Sequence, residues 1–389
     1  MKGSPLEGVR VADFCWLWAG AYATGLLALL GAEVIKIESM ARVDPTRQMT
    51  LTLGKAFEGV DHSPVFNSFN LNKLSVRLNL KQPKAVELAK MIVQISDVAS
   101  QNMRPGAMDK LGLGYEALKE IKHDIIMLSS SAFGLEGPIR RYGGYAPNFA
   151  AYSGLTHLTG YTDGAPNPLT GSTDLMSATT GAFAIVAALN HRQHTGQGQH
   201  IDLSSVESLA VFTGDALMEY GMNGRVPSRR GNQDGIMAPH NCYRCRGDDK
   251  WVSIAISKDE EWDAFCDAYE RWKNQEELDK LVATWTINYT HYEVTEILQR
   301  AGVAAMPSLS NEEIVGDPHF KARNLAVEVE HPVMGKQVVL GPPWRFSGTP
   351  AGVARPSPLM GEHNEYVFGE LLGMSTVEIK RLTDEGIIY

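Results

Sequence analysis

Short apolar runs alternate with helical stretches through the first third of the chain. Residues 9–14 (Val-Arg-Val-Ala-Asp-Phe) and 33–38 (Glu-Val-Ile-Lys-Ile-Glu) read as strands, and the small residues between 21 and 30 read as the helix joining them. Residues 75–80, 97–100 and 124–128 predict further strands, with an amphipathic helix over 84–95. This alternation predicts an α/β fold with a largely parallel, doubly wound sheet. A Gly-, Thr-, Pro- and Asn-rich loop over 153–172 then feeds a long uncharged run that predicts a buried helix, with Asp174 at its threshold. The simplest role for that carboxylate is a helix cap, since Asp satisfies free N–H groups and suits the positive end of the dipole.

A second shift in composition covers residues 221–241, after which a hairpin over 243–254 and helices over 258–272 and 291–301 predict a smaller α+β domain. Pro342, Pro343, Pro350, Pro356 and Pro358 mark an extended return, followed by helices over 362–372 and 376–385. Ser375 and Glu378 form a capping-box pattern at the start of the last helix. The 389 residues exceed the roughly 250 to 300 that one core supports, so more than one domain is expected.

A net charge of -9 disfavours a nucleic-acid binder, which needs a basic face. Four cysteines, Cys15, Cys242, Cys245 and Cys266, are too few for a disulfide framework and fit a reducing compartment. The apolar stretch over 16–32 is interrupted by glycines and is shorter than the roughly 20 residues of a membrane span, so a cytoplasmic protein is expected. Cys242 and Cys245 with His240 and Cys266 have a spacing that zinc tolerates. Residues three apart in a strand face opposite ways, however, and no metal is expected. The first strand–helix–strand unit ends in Glu38, but the intervening Gly20 and Gly25 do not make the glycine fingerprint of a nicotinamide site. Ser129, Ser130 and Ser131 follow a strand end without a nucleophile-elbow motif, so a hydrolase triad is unsupported. Arg42, Arg47, Lys73, Arg104 and Lys110 all fall in loops or at helix starts of the first domain. Together they could hold a polyanionic cofactor, above all where residues 102–106 enter a helix.

In order along the chain, the segments 5–11, 30–38, Asn70-x-x-Lys73-x-Ser75, Asn102-x-Arg104-Pro105-Gly106, Gly134-x-x-Gly137-Pro138, 195–199, Ala238-Pro239-His240 and Leu359-x-Gly361-Glu362-His363-Asn364 resemble the class III CoA-transferase family. The resemblance spans nearly the whole chain. It implies a Rossmann-like large domain built from both chain ends (residues 1–220 and 331–389), a smaller α+β domain (221–330), and an interlaced dimer. It also implies that Asp174 is a nucleophile forming aspartyl anhydride and aspartyl-CoA thioester intermediates. By the same matching, Leu17, Trp18, Ala19, Lys73, Asn102, Met103, Arg104 and Lys110 are expected to contact CoA, with Arg42 added from the basic set. CoA and acyl-CoA enter as substrates, and no permanently bound cofactor is expected.

Two departures shape the expected chemistry. Racemases of the same family carry a histidine base where this chain has Tyr145, and a tyrosine is a poor base near neutral pH, which favours transfer. Ala146 and Ala150 stand where family members often have Asp and Gln, so a different acceptor pocket is expected. The bulky Trp16-Leu17-Trp18 suggests a large or aromatic acid, as in the arylsuccinate branch. That branch pairs related subunits, so a heterodimer in which this chain is a non-catalytic partner is the alternative to a catalytic homodimer. Residues 231–235 match the mobile glycine loop of the family.

Overall fold

A computed structural model describes residues 2–49, 59–268 and 275–389, which divide into two compact units. The larger comprises residues 1–155, 168–218 and 323–389, and the smaller 156–167 and 219–322. Residues 156–167, expected within the first domain, belong to the smaller unit because their backbone is tied to the 229–232 segment. Gly231 N–H donates to Gly160 O (2.9 Å) and Arg229 to His157 O (3.4 Å).

The larger unit opens with β1 (Arg10–Asp13), α1 (Ala19–Leu29), β2 (Glu33–Glu38), α2 (Pro64–Phe69), β3 (Leu74–Arg77), α3 (Pro83–Gln94) and β4 (Val98–Gln101). It continues through α4 (Ala107–Lys110), α5 (Tyr115–Ile121), β5 (Ile126–Ser131), α6 (Ala146–Tyr152), then, after α7 (Leu155–Leu158), all but the first residue of which belongs to the smaller unit, through α8 (Ser172–Thr195), β6 (His200–Ser204) and α9 (Ser205–Ala210). Six parallel strands lie in the order β3-β2-β1-β4-β5-β6, the doubly wound order that reverses direction between β1 and β4. Side-chain alternation separates the two faces. Val11, Val34, Val98, Ile126 and Leu128 pack with Leu26, Leu27 and Ile185 of α1 and α8. Ala12, Ile35, Val76, Ala99 and Met127 pack with α3 and with Val367, Phe368 and Leu382 from the chain's last segment.

Strand β3 is shorter than the expected 75–80, because beyond Arg77 only Leu78 pairs, as an isolated antiparallel bridge to Ile388. Strand β6 escapes the sequence reading: it is an edge strand whose exposure alternates through His200-Ile-Asp-Leu-Ser. Helix α8 is long and apolar enough to span a bilayer by length and composition. It is buried on one face only, through Ala178, Gly181, Ala182 and Ile185, and leaves Phe183 74% exposed. The fully buried helix expected from its composition is therefore a helix with one open apolar face.

In the smaller unit, α10 (Gly214–Asn223) leads out of the larger one, and β7 (His240–Arg244), β8 (Trp251–Ala255) and β9 (Ala304–Pro307) form an antiparallel sheet in that order. Their core, around Tyr243, Ile254 and Phe265, is covered by α11 (Asp259–Ala268), α12 (Gln275–Thr286) and α13 (His291–Arg300). The helix expected over 258–272 is described only as α11, and residues 269–272 lie outside the described residues. Cys242 is exposed while Cys245 is buried. After α14 (Asn311–Gly316) and α15 (Pro318–Ala322), the chain returns to the larger unit through the hairpin β10 (Ala326–His331) and β11 (Gly335–Leu340). It ends in a π-helical turn over Glu365–Leu371 and in α16 (Thr376–Asp384), which Ser375 caps by accepting from Glu378 N–H.

A buried arginine fastens this return. Arg47, 1% exposed, meets Glu38 with two hydrogen bonds (2.8 and 2.7 Å) and Asp61 with a third (2.7 Å). It also donates to the Pro358 carbonyl (3.2 Å) and lies 3.6 Å from the Phe66 ring centroid. Glu38 accepts from Ser75 Oγ (2.6 Å), which in turn accepts from Gly361 N–H (2.9 Å). Arg47 thus serves this interior cluster instead of a ligand, and Glu38, engaged by it, cannot serve as the ribose-binding acid of a dinucleotide site. Arg47→Met strands two carboxylates, one fully buried, so it should destabilise by about 3–5 kcal/mol. Ser375→Ala, which removes only a cap, should cost about 1 kcal/mol. Urea denaturation of both variants checks this, and an Arg47→Met loss no larger than the cap's would show the cluster to be dispensable.

Candidate active site

Open α/β sheets bind ligands beyond the carboxyl ends of their strands, where the strand order reverses. Here that point lies between β1 and β4, and a cavity of about 440 Å³ opens there. Its wall is formed by Leu17, Trp18 and Ala19 after β1, by residues 102–105 after β4, and by Ser130 and Ser131 at the end of β5. Tyr142, Tyr145, Asn148 and Phe149 close another side, and Asp174 and Ser205 complete the lining.

Each part is positioned by local chemistry. Asn102 grips the turn after β1, its Oδ1 accepting from Trp16 N–H (2.8 Å) and its Nδ2 donating to Trp16 O (2.6 Å). Gly20 allows that approach, because a Cβ there would stand 2.7 Å from Asn102 Cγ. Trp18 packs on Phe69 with ring centroids 5.0 Å apart. Tyr145 precedes α6, and its N–H donates to Asn148 Oδ1 (3.0 Å). Thr173, fully buried, anchors the start of α8 by donating to Ala146 O (3.2 Å).

Asp174 is the third residue of α8, whose cap position is Gly171 with φ 83°. Its carboxylate does not cap the helix: among the described residues no hydrogen bond or ion pair engages it, which corrects the capping role expected from the sequence. Burial pushes its carboxyl up to about 6, whereas an exposed aspartate titrates near 4. The helix N-terminus opposes this by roughly 0.3–1 kcal/mol, too little to cancel it. The result is a largely buried, unengaged carboxylate that ionises just below neutral pH. Among the described residues it is also the one carboxylate lining the cavity. Such a group fits nucleophilic attack on a carbonyl better than fold stabilisation.

The structure brings Leu17, Trp18, Ala19, Asn102, Met103 and Arg104 together with Asp174 around this cavity. Arg104 is exposed, and among the described residues no carboxylate pairs with it. Lys73 does not line the cavity. Its ammonium is fully buried and donates to Asp13 Oδ2 (2.9 Å), Ala21 O (2.8 Å) and Thr24 Oγ1 (2.8 Å), because the buried Asp13 requires a counter-charge. Arg42 is exposed with its guanidinium 4.5 Å from the Trp16 ring, and Lys110 is exposed on α4; neither lines the cavity. Sequence reasoning missed Asp13, Lys36 and Asp44. A charge inside the apolar run Val34-Ile35-Lys36-Ile37 was the available signal. It also missed the wall formed by Tyr142, Asn148 and Phe149, which comes from a loop with no distinctive pattern.

A profile described as CoA-transferase family III matches residues 6–364. The succinyl-CoA–D-citramalate CoA-transferase of Chloroflexus aurantiacus is 31% identical over 99% of this chain and 98% of its own length. The alpha subunit of a succinyl-CoA–L-malate CoA-transferase of Chloroflexus aurantiacus is 33% identical over 99% of this chain and 92% of its own. A CAIB/BAIF family protein from Brucella suis superposes with a TM-score of 0.84 at 28% identity, covering 95% of this chain and all of that one.

The raised carboxyl of Asp174 has a consequence for stability. The folded state holds this proton more tightly than the unfolded chain, so the group stabilises fully below pH 4 and loses that contribution as pH rises through about 6. Asp174→Asn cannot ionise and no cap is lost with it. Its melting temperature relative to wild type should rise between pH 4 and pH 8, ending no lower than wild type. A variant clearly less stable at pH 8 would mean the carboxylate has a structural partner.

Proposed function

The chain belongs to CoA-transferase family III, and we propose that it moves CoA from an acyl-CoA donor to a carboxylic acid acceptor with Asp174 as the nucleophile. The observation that carries this reading is the unengaged Asp174 carboxylate in the cavity at the strand-order reversal. The ionised carboxylate attacks the thioester carbonyl and expels CoA as thiolate, leaving an aspartyl acyl anhydride. The thiolate attacks the aspartyl carbonyl, releases the donor acid and gives an aspartyl-CoA thioester. An acceptor carboxylate attacks that thioester and expels the thiolate again, which then takes the acceptor acyl group and frees Asp174. Each step exchanges one acyl bond for another, so no external oxidant or water is consumed. Burial protects the anhydride from hydrolysis and strengthens hydrogen bonds to the tetrahedral oxyanions.

Leu17, Trp18, Ala19, Asn102, Met103 and Arg104 are proposed to contact CoA, with Arg104 supplying charge for its phosphates. The aromatic wall of Trp18, Tyr142, Tyr145 and Phe149 favours an acceptor with a bulky apolar substituent, and the named relatives act on dicarboxylic acids. Together these favour a substituted succinate, an arylsuccinate in particular. Tyr145 stands where the family's racemases carry their histidine and lines the cavity, which favours transfer over proton abstraction. We also propose that two subunits assemble. Phe183, Val211, Phe212 and Leu217 are each more than half exposed on the larger unit, large apolar side chains of the sort a stable interface covers.

Incubation with succinyl-CoA should place a hydroxylamine-sensitive adduct on the peptide holding residue 174, absent in Asp174→Asn. Adduct formation should rise about tenfold per pH unit below 6 and level off above it, as a carboxylate nucleophile requires. Arylsuccinates should discharge the adduct faster than oxalate; the reverse order would exclude the proposed acceptor class, and a fully active Asp174→Asn would exclude the mechanism.

Mass photometry at nanomolar concentration should find a two-subunit particle. A folded monomer would refute the assembly, and copurification of a related chain would identify it as a heterodimer.

A further inference from the structure

The turn between β1 and α1 is held by side chains instead of by secondary structure. Cys15 N–H donates to Asp13 Oδ1 (3.0 Å) and Cys15 O accepts from Lys36 Nζ (2.6 Å). Asn102 holds both backbone groups of Trp16, and Leu17 N–H donates to Asp44 Oδ1 (3.2 Å). Leu17 has φ 57°, in the left-handed region that a residue with a Cβ populates sparsely. Something must hold it there, and Asp44 is the group bonded to its amide. Asp44 is itself over-determined: it is 2% exposed, its Oδ1 also accepts from Thr46 N–H (3.0 Å) and Oγ1 (2.7 Å), and its Oδ2 pairs with Lys36 Nζ (3.1 Å). Burial alone would raise its carboxyl, but the charge of Lys36 and the hydrogen bonds from Thr46 together hold it below the ordinary aspartate range. It therefore stays ionised across the working pH range.

The left-handed residue decides where the next side chain goes. Trp18 lies against Gly171, where a Cβ would stand 3.0 Å from Trp18 Cζ3. Gly171 is the cap residue of α8, three positions before Asp174. We propose that Asp44, held by Lys36, is a positioning residue that locks Leu17 in its left-handed conformation and thereby seats Trp18 against the first turn of the nucleophile helix. This rests on the reading of Asp174 as nucleophile and of its cavity as the acyl-CoA site. Asp44 touches no reacting atom. Its effect reaches the substrate through the backbone of Leu17 and the indole of Trp18, two parts of the cavity wall.

The test uses the full-length protein labelled with 5-fluorotryptophan, with the Trp18 fluorine resonance assigned by Trp18→Phe. In Asp44→Ala that resonance should shift or split while those of the other six tryptophans stay in place. Adding Leu17→Gly should return it toward its wild-type position, because glycine takes positive φ without a restraint. In kinetics, Asp44→Ala should raise KM for succinyl-CoA about tenfold with kcat changed less than about threefold. That rise should shrink at least threefold when measured in the Leu17→Gly background, since coupled sites are non-additive. Asp44→Asn keeps an acceptor oxygen and serves if the alanine variant does not fold; it should give the same pattern more weakly. A Trp18 resonance unmoved by either change at Asp44, or effects additive with Leu17→Gly, would overturn the proposal. The fluorine signal is read without substrate. A responsive Trp18 in a protein that transfers no CoA would refute the functional reading alone, and normal transfer with an unresponsive Trp18 would refute the positioning role alone.

Discussion

Three cations and three anions, buried at the carboxyl ends of β1 and β2 and in the segments that follow them, set the geometry on which the rest of the larger unit depends. Lys73 pairs with Asp13, Lys36 with Asp44 and Arg47 with Glu38, each side chain at most 2% exposed. Ions in such a place are tolerated only when paired, so the pairs dictate where their backbones go. Asp13 and Lys73 fix β1 against α1 and the turn before β3. Lys36 and Asp44 fix the turn that lines the cavity. Arg47 and Glu38 fix the returning segment near Pro358 and Gly361. An apolar core of equal volume could supply stability, but not this set of directions.

Against that background Asp174 is the exception. The buried carboxylates of the lattice are held by cations, and Asp13 and Asp44 are kept below their ordinary range by Lys73 and Lys36 despite burial. Asp174 has burial without a cation, and its carboxyl moves the other way. The same desolvation thus yields permanently charged structural groups where a lysine is supplied, and a more basic, more nucleophilic carboxylate where none is. The helix beneath Asp174 offers its positive end as a mild counterweight, which keeps the group ionisable near neutral pH.

Much of this was legible in the sequence because the parallel sheet is buried on both faces and its strands are apolar runs between helical patterns. β1, β2 and β4 emerge directly from that contrast; β5 does so in part, since it runs on to Ser131 through the serines expected to follow its end, their polarity hiding that they are buried in the strand. The edge strand β6 does not, since half of it faces outward and its polar residues hide the pattern. Leu17–Ala19, Asn102–Arg104 and Asp174, all singled out from the sequence, line one cavity. Side-chain direction was not legible. Lys73 and Arg104 are both basic residues in motif segments, yet the first turns inward to Asp13 and the second faces the cavity. Only the position of a buried counter-charge separates them, and that is a property of the folded neighbourhood. Asp174 likewise has a helix-cap residue type at a helix start, but a register three residues past the cap leaves it without that role.

The residue at position 17 shows how the structural lattice and the site constrain one another. If the turn needed only a left-handed backbone, glycine would take it without strain and Asp44 would have no task there. Leucine at that position puts an apolar side chain into the cavity wall beside Trp18, at the cost of an unfavourable backbone conformation. That cost must be offset by something rigid, and a carboxylate already pinned by Lys36 and Thr46 is rigid. The bulky lining of the cavity and the buried charges beneath it are therefore two halves of one solution: Leu17 and Trp18 can stand in the wall because the restraint that shapes their turn is ionic and out of reach of solvent.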